Sequence, residues 1–189
     1  MFAVRFHGRG GQGVVTAAEL LSLAAFADGL ETQAFPSFGS ERMGAPVVAF
    51  CRIDDRPIRL REPIEQPDAV VIQDATLLHH VDVFAGLTQD GYVLINSTRS
   101  IDDLGLAGLR ARHLPERVVT VAASELARLH LGRPIANAAL LGALAAITGV
   151  VSVDALRTAI AQRFSGPAAE GNTAAALAAH ALLLEGAHA

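Results

Sequence analysis

The sequence has one cysteine, Cys51, among 189 residues. A single thiol excludes an internal disulfide and an all-cysteine iron–sulfur or zinc site within this chain. No two of the seven histidines have the H-x-x-x-H spacing of a metal site, and no Walker lysine or G-x-S-x-G nucleophile elbow is present. These absences predict a chain with no metal site and no catalytic residue of its own, in a reducing cytoplasm.

The chain is also poor in charge. Charged residues make up 18% of it and apolar residues 51%, with a formal net charge of −4. This acidic balance gives no reason to expect a nucleic-acid partner. The high apolar share suggests that another chain covers part of the surface, in an oligomer. The most apolar run, residues 135–151, is shorter than the roughly 20 residues of a membrane span, so we expect no membrane partner.

A glycine-rich turn near the start is the most informative motif. Phe2, Val4 and Phe6 alternate with other residues as in a half-buried strand, and a long apolar helix follows the turn. The turn fits G-x-G-x-x-G and comprises Gly8, Arg9, Gly10, Gly11, Gln12 and Gly13. Glycines allow close backbone approach, and the helix N-terminus directs free N–H groups at the same point. An anionic group would be favoured there, with Arg9 as a further donor.

The turn by itself leaves three interpretations open. A dinucleotide site requires an acidic residue at the end of the second strand, for the ribose hydroxyls. That strand would run to about Phe35, and the nearby acid, Glu31, lies at its beginning. The turn could instead serve only to pack helix on sheet, or it could face another ligand or a partner chain.

Strand and helix patterns alternate along most of the chain, which favours an α/β fold. Further strands are expected near residues 31–35, 69–73, 92–96 and 118–122, with helices at 75–84, 103–112 and 124–131. Residues 45–53 and 57–60 flank Asp54-Asp55-Arg56, a hairpin signal. Beyond Pro134, helices are expected at 135–149, 152–164 and 172–185. We therefore predict one Rossmann-like domain over 1–189: a mainly parallel sheet with helices on both faces, an antiparallel hairpin insertion and a helical C-terminal part.

Four loops should gather at the C-terminal edge of such a sheet, where ligands bind in open α/β folds. They are residues 7–13, 35–44, 73–76 and 96–100. The second is unusual because Phe35 and Phe38 would be exposed unless something covers them. His7, Asp74 and Asn96 lie at this edge, and for each a local hydrogen-bonding role competes with a ligand role. Asn137 opens the apolar helix, where helix capping or a buried hydrogen bond is expected.

Several long segments resemble a known family. They are HGRGGQGVVTAAELLSLAA, QAFPSFGSERMGAPVVAF, RIDDRPIRLR, PDAVVIQDATLL and RPIANAALLGALAAITGVVSVDALRTAI. Together and in this order they resemble the gamma subunit of pyruvate and other 2-oxoacid:ferredoxin oxidoreductases, over nearly the whole chain. The family often has proline where this chain has Ser40 and a second basic residue where it has Met43.

The resemblance implies a function within a complex. The holoenzyme would decarboxylate a 2-oxoacid oxidatively and form acyl-CoA and CO2. Thiamine diphosphate, Mg²⁺ and the iron–sulfur clusters would lie on the alpha, beta and delta-type subunits, with ferredoxin or a similar protein as acceptor. This chain would bind no cofactor alone and would contribute one edge of the coenzyme A region. By family match, the residues implied there are those of the glycine turn together with Phe38, Gly39, Glu41, Arg42 and Gly44.

Two alternatives remain beside this interpretation. One is a stand-alone Rossmann-like nucleotide-binding protein. The other is a purely structural assembly module, in which the glycine turn is buried against a partner chain.

Overall fold

A six-stranded sheet forms the centre of the molecule. The structure, a computed structural model, describes residues 1–37 and 43–186. The strands are β1 (Phe2–Arg9), β2 (Glu31–Pro36), β3 (Pro46–Asp54), β4 (Ala69–Ile72), β5 (Tyr92–Asn96) and β6 (Val118–Val121). Their order across the sheet is β2-β3-β1-β4-β5-β6. Each expected strand outside the 45–60 hairpin is therefore present, with boundaries shifted by one or two residues.

Five of the six strands run in the same direction, and β3 alone among them is reversed. β1, β4, β5 and β6 pair in parallel, whereas β3 pairs antiparallel with both β1 and β2. The mainly parallel sheet with an antiparallel insertion is confirmed. The expectation that residues 57–60 form the second strand of a hairpin is wrong, because they are not in a strand. Both edges of β3 are already hydrogen-bonded to β1 and β2, so no edge remains for that segment.

The long helices pack together on one face of the sheet. They are α1 (Val14–Ala27), α3 (Ala123–Leu131), α4 (Asn137–Thr148), α5 (Val153–Arg163) and α6 (Gly166–Gly186). The opposite face is covered by irregular segments that include a 3-10 turn (Ala75–His79) and the one-turn helix α2 (Ala107–Arg110). The helices expected at 75–84 and 103–112 are therefore reduced to a 3-10 turn and a single helical turn, and most of the helical structure lies on one face.

Alternate residues of the strands pack into separate hydrophobic cores on the two faces of the sheet. Val4 and Phe6 of β1 lie in the core beneath α1, α4 and α5. Val70 and Ile72 of β4 lie in the core on the opposite face. This alternation follows from the two-residue period of a strand, and it places Arg5 and His7 on the face opposite Val4 and Phe6.

The last helix begins earlier than the sequence suggests. Residues 166 and 167, Gly-Pro, read as a loop before a helix at 172–185, but α6 spans Gly166–Gly186. Proline is accepted in a helical first turn because its missing N–H would have no intrahelical partner there. The breaker signal therefore marks the helix start.

Two helix ends are joined by one serine. Ser152 caps α5 by accepting a hydrogen bond from the Ala155 N–H at 3.1 Å. Its own N–H and hydroxyl both donate to the carboxylate of Asp28, the residue after α1, at 2.6 Å each. Ser152 is thus the N-cap of α5, and Gly29, with a positive φ of 83°, follows Asp28 at the end of α1. Ser152 thereby connects α5 to the helix that carries the glycine turn.

We expect Ser152→Ala to lower the free energy of unfolding by about 1–2 kcal/mol, because it removes both the cap and a contact to Asp28. Urea unfolding of the purified chain measures this. Ser152→Thr keeps the hydroxyl and should lose only a few tenths of a kcal/mol. Equal losses in the two variants would contradict a capping role.

Candidate functional site

The glycine turn lies at the sheet edge where β1, β4 and β5 end. The turn closes with a hydrogen bond from the Gln12 N–H to the Arg9 carbonyl at 3.0 Å. Gly11 and Gly13 have φ angles of 92° and 74°, a left-handed conformation that L side chains rarely adopt. A Cβ added at Gly11 would lie 2.5 Å from Met43 Sδ, and one at Gly13 would lie 2.4 Å from Asn137 Nδ2. Conformation therefore requires glycine at both positions, and at Gly13 the buried Asn137 side chain also leaves no room for a Cβ.

Gly44 and Ala45, which belong to the family segment QAFPSFGSERMGAPVVAF, lie against the turn. Gly10 donates its N–H to the Ala45 carbonyl at 2.9 Å and accepts from the Gly44 N–H at 3.1 Å. The Arg9 guanidinium donates to the Gly44 carbonyl at 3.1 Å. Two loops far apart in sequence therefore form one backbone-lined surface. Of the residues predicted for this site, Phe38, Gly39, Glu41 and Arg42 lie outside the described part of the chain.

A polar network fixes the turn to the end of β4. Gln12 accepts from the Arg9 N–H at 2.7 Å and donates to Asp74 at 2.8 Å. The Arg9 guanidinium lies 3.2 Å from the same carboxylate and donates to the Thr76 hydroxyl at 2.8 Å. The Gln12 and Arg9 side chains thus bond within the protein. The sequence suggested Arg9 as a donor to a ligand, whereas here its charge is paired with Asp74.

Asp74 is held in its charged form. Burial disfavours the carboxylate, but hydrogen bonds from Thr76 and Gln12, aided by the Arg9 charge, outweigh this effect. The pKa of Asp74 consequently lies below its ordinary value. Asp74 also caps the 3-10 turn through the Thr76 N–H at 3.0 Å, which confirms the local capping role that the sequence allowed.

A pocket of about 290 Å³ opens beside the turn. It is lined by Arg9, Gly10, Gly11, Gly13, Val14, Val15 and Val47. Helix α1 begins there, and its N-cap, Gly13, has no side chain to cap the first turn. The first N–H groups of such a helix end have no partner within the helix and carry a partial positive charge. The pocket therefore offers backbone donors to an anionic group.

His7 lies behind the turn and is not available for proton transfer at neutral pH. It is 4% exposed, and its Nε2 accepts a hydrogen bond from Arg5 Nε at 3.0 Å. Burial, together with the neighbouring Arg5 charge, lowers the pKa of His7 to about 4. The ring is therefore neutral, and the hydrogen-bonded strand-end role is confirmed.

Gln73 begins a loop that was expected at this edge, but sequence reasoning did not single out its side chain. Its side chain reaches Asn137 at the start of α4, and both residues are buried beneath the turn. The available signal was a polar residue directly after the buried strand β4. Asn96, at the end of β5, donates to the Gln73 carbonyl at 2.9 Å and accepts from the Ser124 N–H at 3.1 Å. Asn96 therefore has the local hydrogen-bonding role, which was one of the two roles expected for it.

Phe35 is covered within the chain. Its ring lies 5.1 Å from that of Phe50 and beneath the Arg52 guanidinium. The expectation was that Phe35 would be exposed unless something covered it, and the cover comes from within the chain, because β2 extends through this residue and directs it onto β3. Cys51 is fully buried in β3, where burial raises the pKa of its thiol, as expected for an unreactive cysteine.

Within residues 1–37 and 43–186, no group of three or more histidine, cysteine or acidic side chains could hold a metal ion. None of the helices in that part of the chain is long and apolar enough to span a bilayer.

Comparison with known proteins identifies the family. Residues 3–182 match the family model described as pyruvate ferredoxin/flavodoxin oxidoreductase. The chain belongs to this family. It is 49% identical over 176 residues to the pyruvate/ketoisovalerate oxidoreductases common subunit gamma of Pyrococcus abyssi, covering 93% of this chain and 94% of that one. It is 48% identical over 185 residues to the pyruvate synthase subunit PorC of Methanocaldococcus jannaschii, covering 98% of each. The resemblance to a gamma subunit is confirmed.

Solved structures support the same assignment. Pyruvate oxidoreductase subunit PORC from Thermotoga maritima superposes with a TM-score of 0.80 at 33% identity, covering 95% of both chains. A 2-oxoglutarate:ferredoxin oxidoreductase from Magnetococcus marinus, with 2-oxoglutarate, coenzyme A and succinyl-CoA bound, gives a TM-score of 0.72. That match covers 98% of this chain and 31% of the other at 17% identity, so it shows the fold alone. Proteins of this family are subunits of oxidoreductase complexes.

We expect Asp74→Asn to lower the free energy of unfolding by about 1–2 kcal/mol at pH 7, because Arg9 and Gln12 lose a charged acceptor. A depressed carboxyl pKa stabilises the fold above the unfolded-state pKa of about 4, and this contribution disappears as pH falls through the folded-state value. The difference between wild type and variant should therefore shrink below about pH 4.

Urea unfolding of the purified chain at a series of pH values measures this difference. Asp102→Asn is the control, because it removes an exposed partner of Arg110 and should change stability by less than about 0.5 kcal/mol. A pH-independent effect of Asp74→Asn would contradict the electrostatic explanation.

Proposed function

We propose that this chain is the non-redox gamma subunit of a 2-oxoacid:ferredoxin oxidoreductase and that its glycine-turn edge forms part of the coenzyme A region. The complex converts a 2-oxoacid to acyl-CoA and CO2. The chain packs against the thiamine-binding subunits, and the thiamine diphosphate, Mg²⁺ and iron–sulfur clusters lie on partner chains. The proposal depends on one observation: the uncapped N-terminus of α1 opens on a pocket walled by glycine backbone.

The charges around this pocket favour recognition by the backbone. Arg9 is paired with Asp74, so its contribution to the local field is partly cancelled. What remains are the free N–H groups of α1 and the positive end of its dipole, which suit a phosphate oxygen. Coenzyme A carries phosphates, and the family resemblance supports a position of this segment near it.

The pocket is too small to hold the whole coenzyme. Its 290 Å³ equals about ten times the volume of a water molecule in the liquid, enough for a phosphate-sized group. Coenzyme A has several dozen non-hydrogen atoms, so most of it must contact other surfaces. Partner subunits are the natural source, which agrees with a site shared between chains.

The stand-alone nucleotide-binding alternative loses support from the course of β2. That strand ends with Phe35 and Pro36 at the ligand edge. Glu31 lies at its other end, opposite Asp54 of β3 in the strand register. No acidic side chain of β2 is therefore placed to bind ribose hydroxyls beside the turn. The structural-module alternative keeps one supporting observation, since Gly10 already uses both its N–H and its carbonyl within the chain.

We expect Gly11→Ala to raise the apparent KM for coenzyme A severalfold in the assembled complex and to leave the KM for the oxoacid unchanged. The added methyl group must occupy a left-handed conformation and displace Met43, which distorts the turn. Steady-state kinetics with each substrate varied in turn measures this effect. Copurification of the thiamine-containing subunits with the tagged chain establishes that the complex has formed.

Gly29→Ala is the matched control for that variant. Gly29 also has a positive φ, 83°, but it lies at the far end of α1, with nothing within 4 Å of an added Cβ. Both variants carry the same kind of backbone strain, so the control removes a general loss of stability from the comparison. If Gly11→Ala lowers the amount of complex that assembles but leaves the KM for coenzyme A of the remaining complex unchanged, the structural module is favoured.

A second expectation comes from the family segment alone. Arg42→Ala should raise the KM for coenzyme A more than that for the oxoacid, by the equivalent of about 1.5–3 kcal/mol if a charge-assisted phosphate contact is lost. Arg56→Ala, at an exposed arginine just beyond β3, is the control. Equal effects of the two substitutions would argue against a specific role for Arg42.

A further inference from the structure

A buried pair of amide side chains lies behind the glycine turn. Gln73 and Asn137 are 5% and 3% exposed, and Gln73 Nε2 donates to Asn137 Oδ1 at 3.2 Å. Gln73 follows β4 and Asn137 begins α4, so the contact joins the sheet to the helical layer. We refer to these two side chains as the amide bridge.

The amide bridge occupies the space that a Cβ of Gly13 would need, since Asn137 Nδ2 lies 2.4 Å from where that atom would be. At Gly8 the corresponding space is taken first by Val14 Cγ2 at 2.6 Å, and Gln73 Oε1 lies 3.2 Å away. The last glycine of the motif therefore rests directly on the amide bridge, and the first lies beside it. Gly13 is also the N-cap of α1, so its position sets the direction of the free N–H groups in the first turn of that helix.

Gln73 is fixed at both of its main-chain groups. Its N–H donates to the His7 carbonyl at 2.8 Å, and its carbonyl accepts from Asn96 Nδ2 at 2.9 Å. The side chain therefore starts from a rigid point between the ends of β1 and β5. Asn137, in contrast, belongs to a helix whose next eight residues are all apolar and buried. A polar residue at that position has its hydrogen-bonding partner only in Gln73 among the described residues.

The amide bridge is incompletely satisfied. Gln73 Oε1 is buried and has no hydrogen-bond partner among the residues that the structure describes. Unpaired buried polar atoms are uncommon in native proteins because they lose hydration without compensation. A purely apolar filling of the same space would avoid that cost. The retention of two amides directly beneath the turn indicates a role in its geometry.

We propose that Asn137 and Gln73 are positioning residues that hold Gly13 and the α1 N-terminus in the conformation that binds the coenzyme A phosphate. This inference rests on the proposed function of the turn. The two residues act on the ligand through the turn backbone. Loss of the bridge leaves a void beneath Gly13, and the N–H groups of α1 lose their fixed direction.

The experiment compares variants in the assembled complex. We expect Asn137→Ala to raise the KM for coenzyme A roughly tenfold with an unchanged KM for the oxoacid. Gln73→Ala should have a similar effect, and the double variant should be no worse than either single one, because one bridge is lost in all three. If the Asn137→Ala chain does not assemble into the complex, Asn137→Ser is the replacement variant. It keeps a hydroxyl at this position, but its side chain is too short to reach Gln73, so the amide bridge is lost in this variant as well.

Asn172→Ala is the control for the loss of a buried asparagine. Asn172 is 4% exposed on α6 and donates to the Ala168 carbonyl at 2.8 Å, away from the turn. It should lower the midpoint of thermal unfolding without changing the KM for coenzyme A. A role of Asn137 in stability alone would give the two asparagine variants the same kinetic behaviour and would overturn the inference.

Gly11→Ala separates this inference from the function on which it rests. If Gly11→Ala raises the KM for coenzyme A and Asn137→Ala leaves it within about twofold, the positioning role is wrong and the proposed function stands. If neither variant changes that KM, the proposed function fails and the positioning role fails with it.

Discussion

The conformation of the glycine turn depends on side chains that lie against the backbone of residues without a Cβ. Met43 and Asn137 approach Gly11 and Gly13 from two sides, at distances that a Cβ would not permit. The turn is thereby held between the segment at residues 43–45 and the amide bridge. Because its main chain is fixed from both sides, the N–H groups at the start of α1 keep one direction. This rigidity is what makes a short stretch of backbone suitable for recognising a defined anion.

The same turn couples the layers of the fold. Gln12 and Arg9 connect it to Asp74 after β4, Gly10 connects it to the chain before β3, and Asn137 connects it to α4. A change in any of these elements would be transmitted to the pocket through a contact of one or two residues. Under the proposed function, such coupling would fix the ligand edge relative to the rest of the subunit.

Local patterns in the sequence were sufficient for most elements but not for their arrangement. The strands at Phe2–Arg9 and Tyr92–Asn96 have the expected alternation or apolar run, and Ser152 caps its helix as its type favours. The insertion of β3 between β1 and β2 was not predictable, because strand pairing depends on long-range contacts and the turn at 54–56 gave a local hairpin signal. The cover of Phe35 was not predictable for a related reason: Phe50, whose ring lies against it, belongs to the strand brought there by that same pairing.

For the site, glycine spacing revealed where the backbone must be bare but not what occupies the space. The motif GRGGQG contains one cation and one amide, and the sequence analysis assigns both to a ligand region, whereas in the structure Arg9 and Gln12 bond to Asp74. Asn137 is separated from Gly13 by more than a hundred residues, so no local pattern links them. Side chains inside the motif thus support the turn, and under the proposed function recognition is left to main-chain groups. Such a site depends on the conformation of its backbone, and therefore both on the glycines and on the amide side chains that hold them in place.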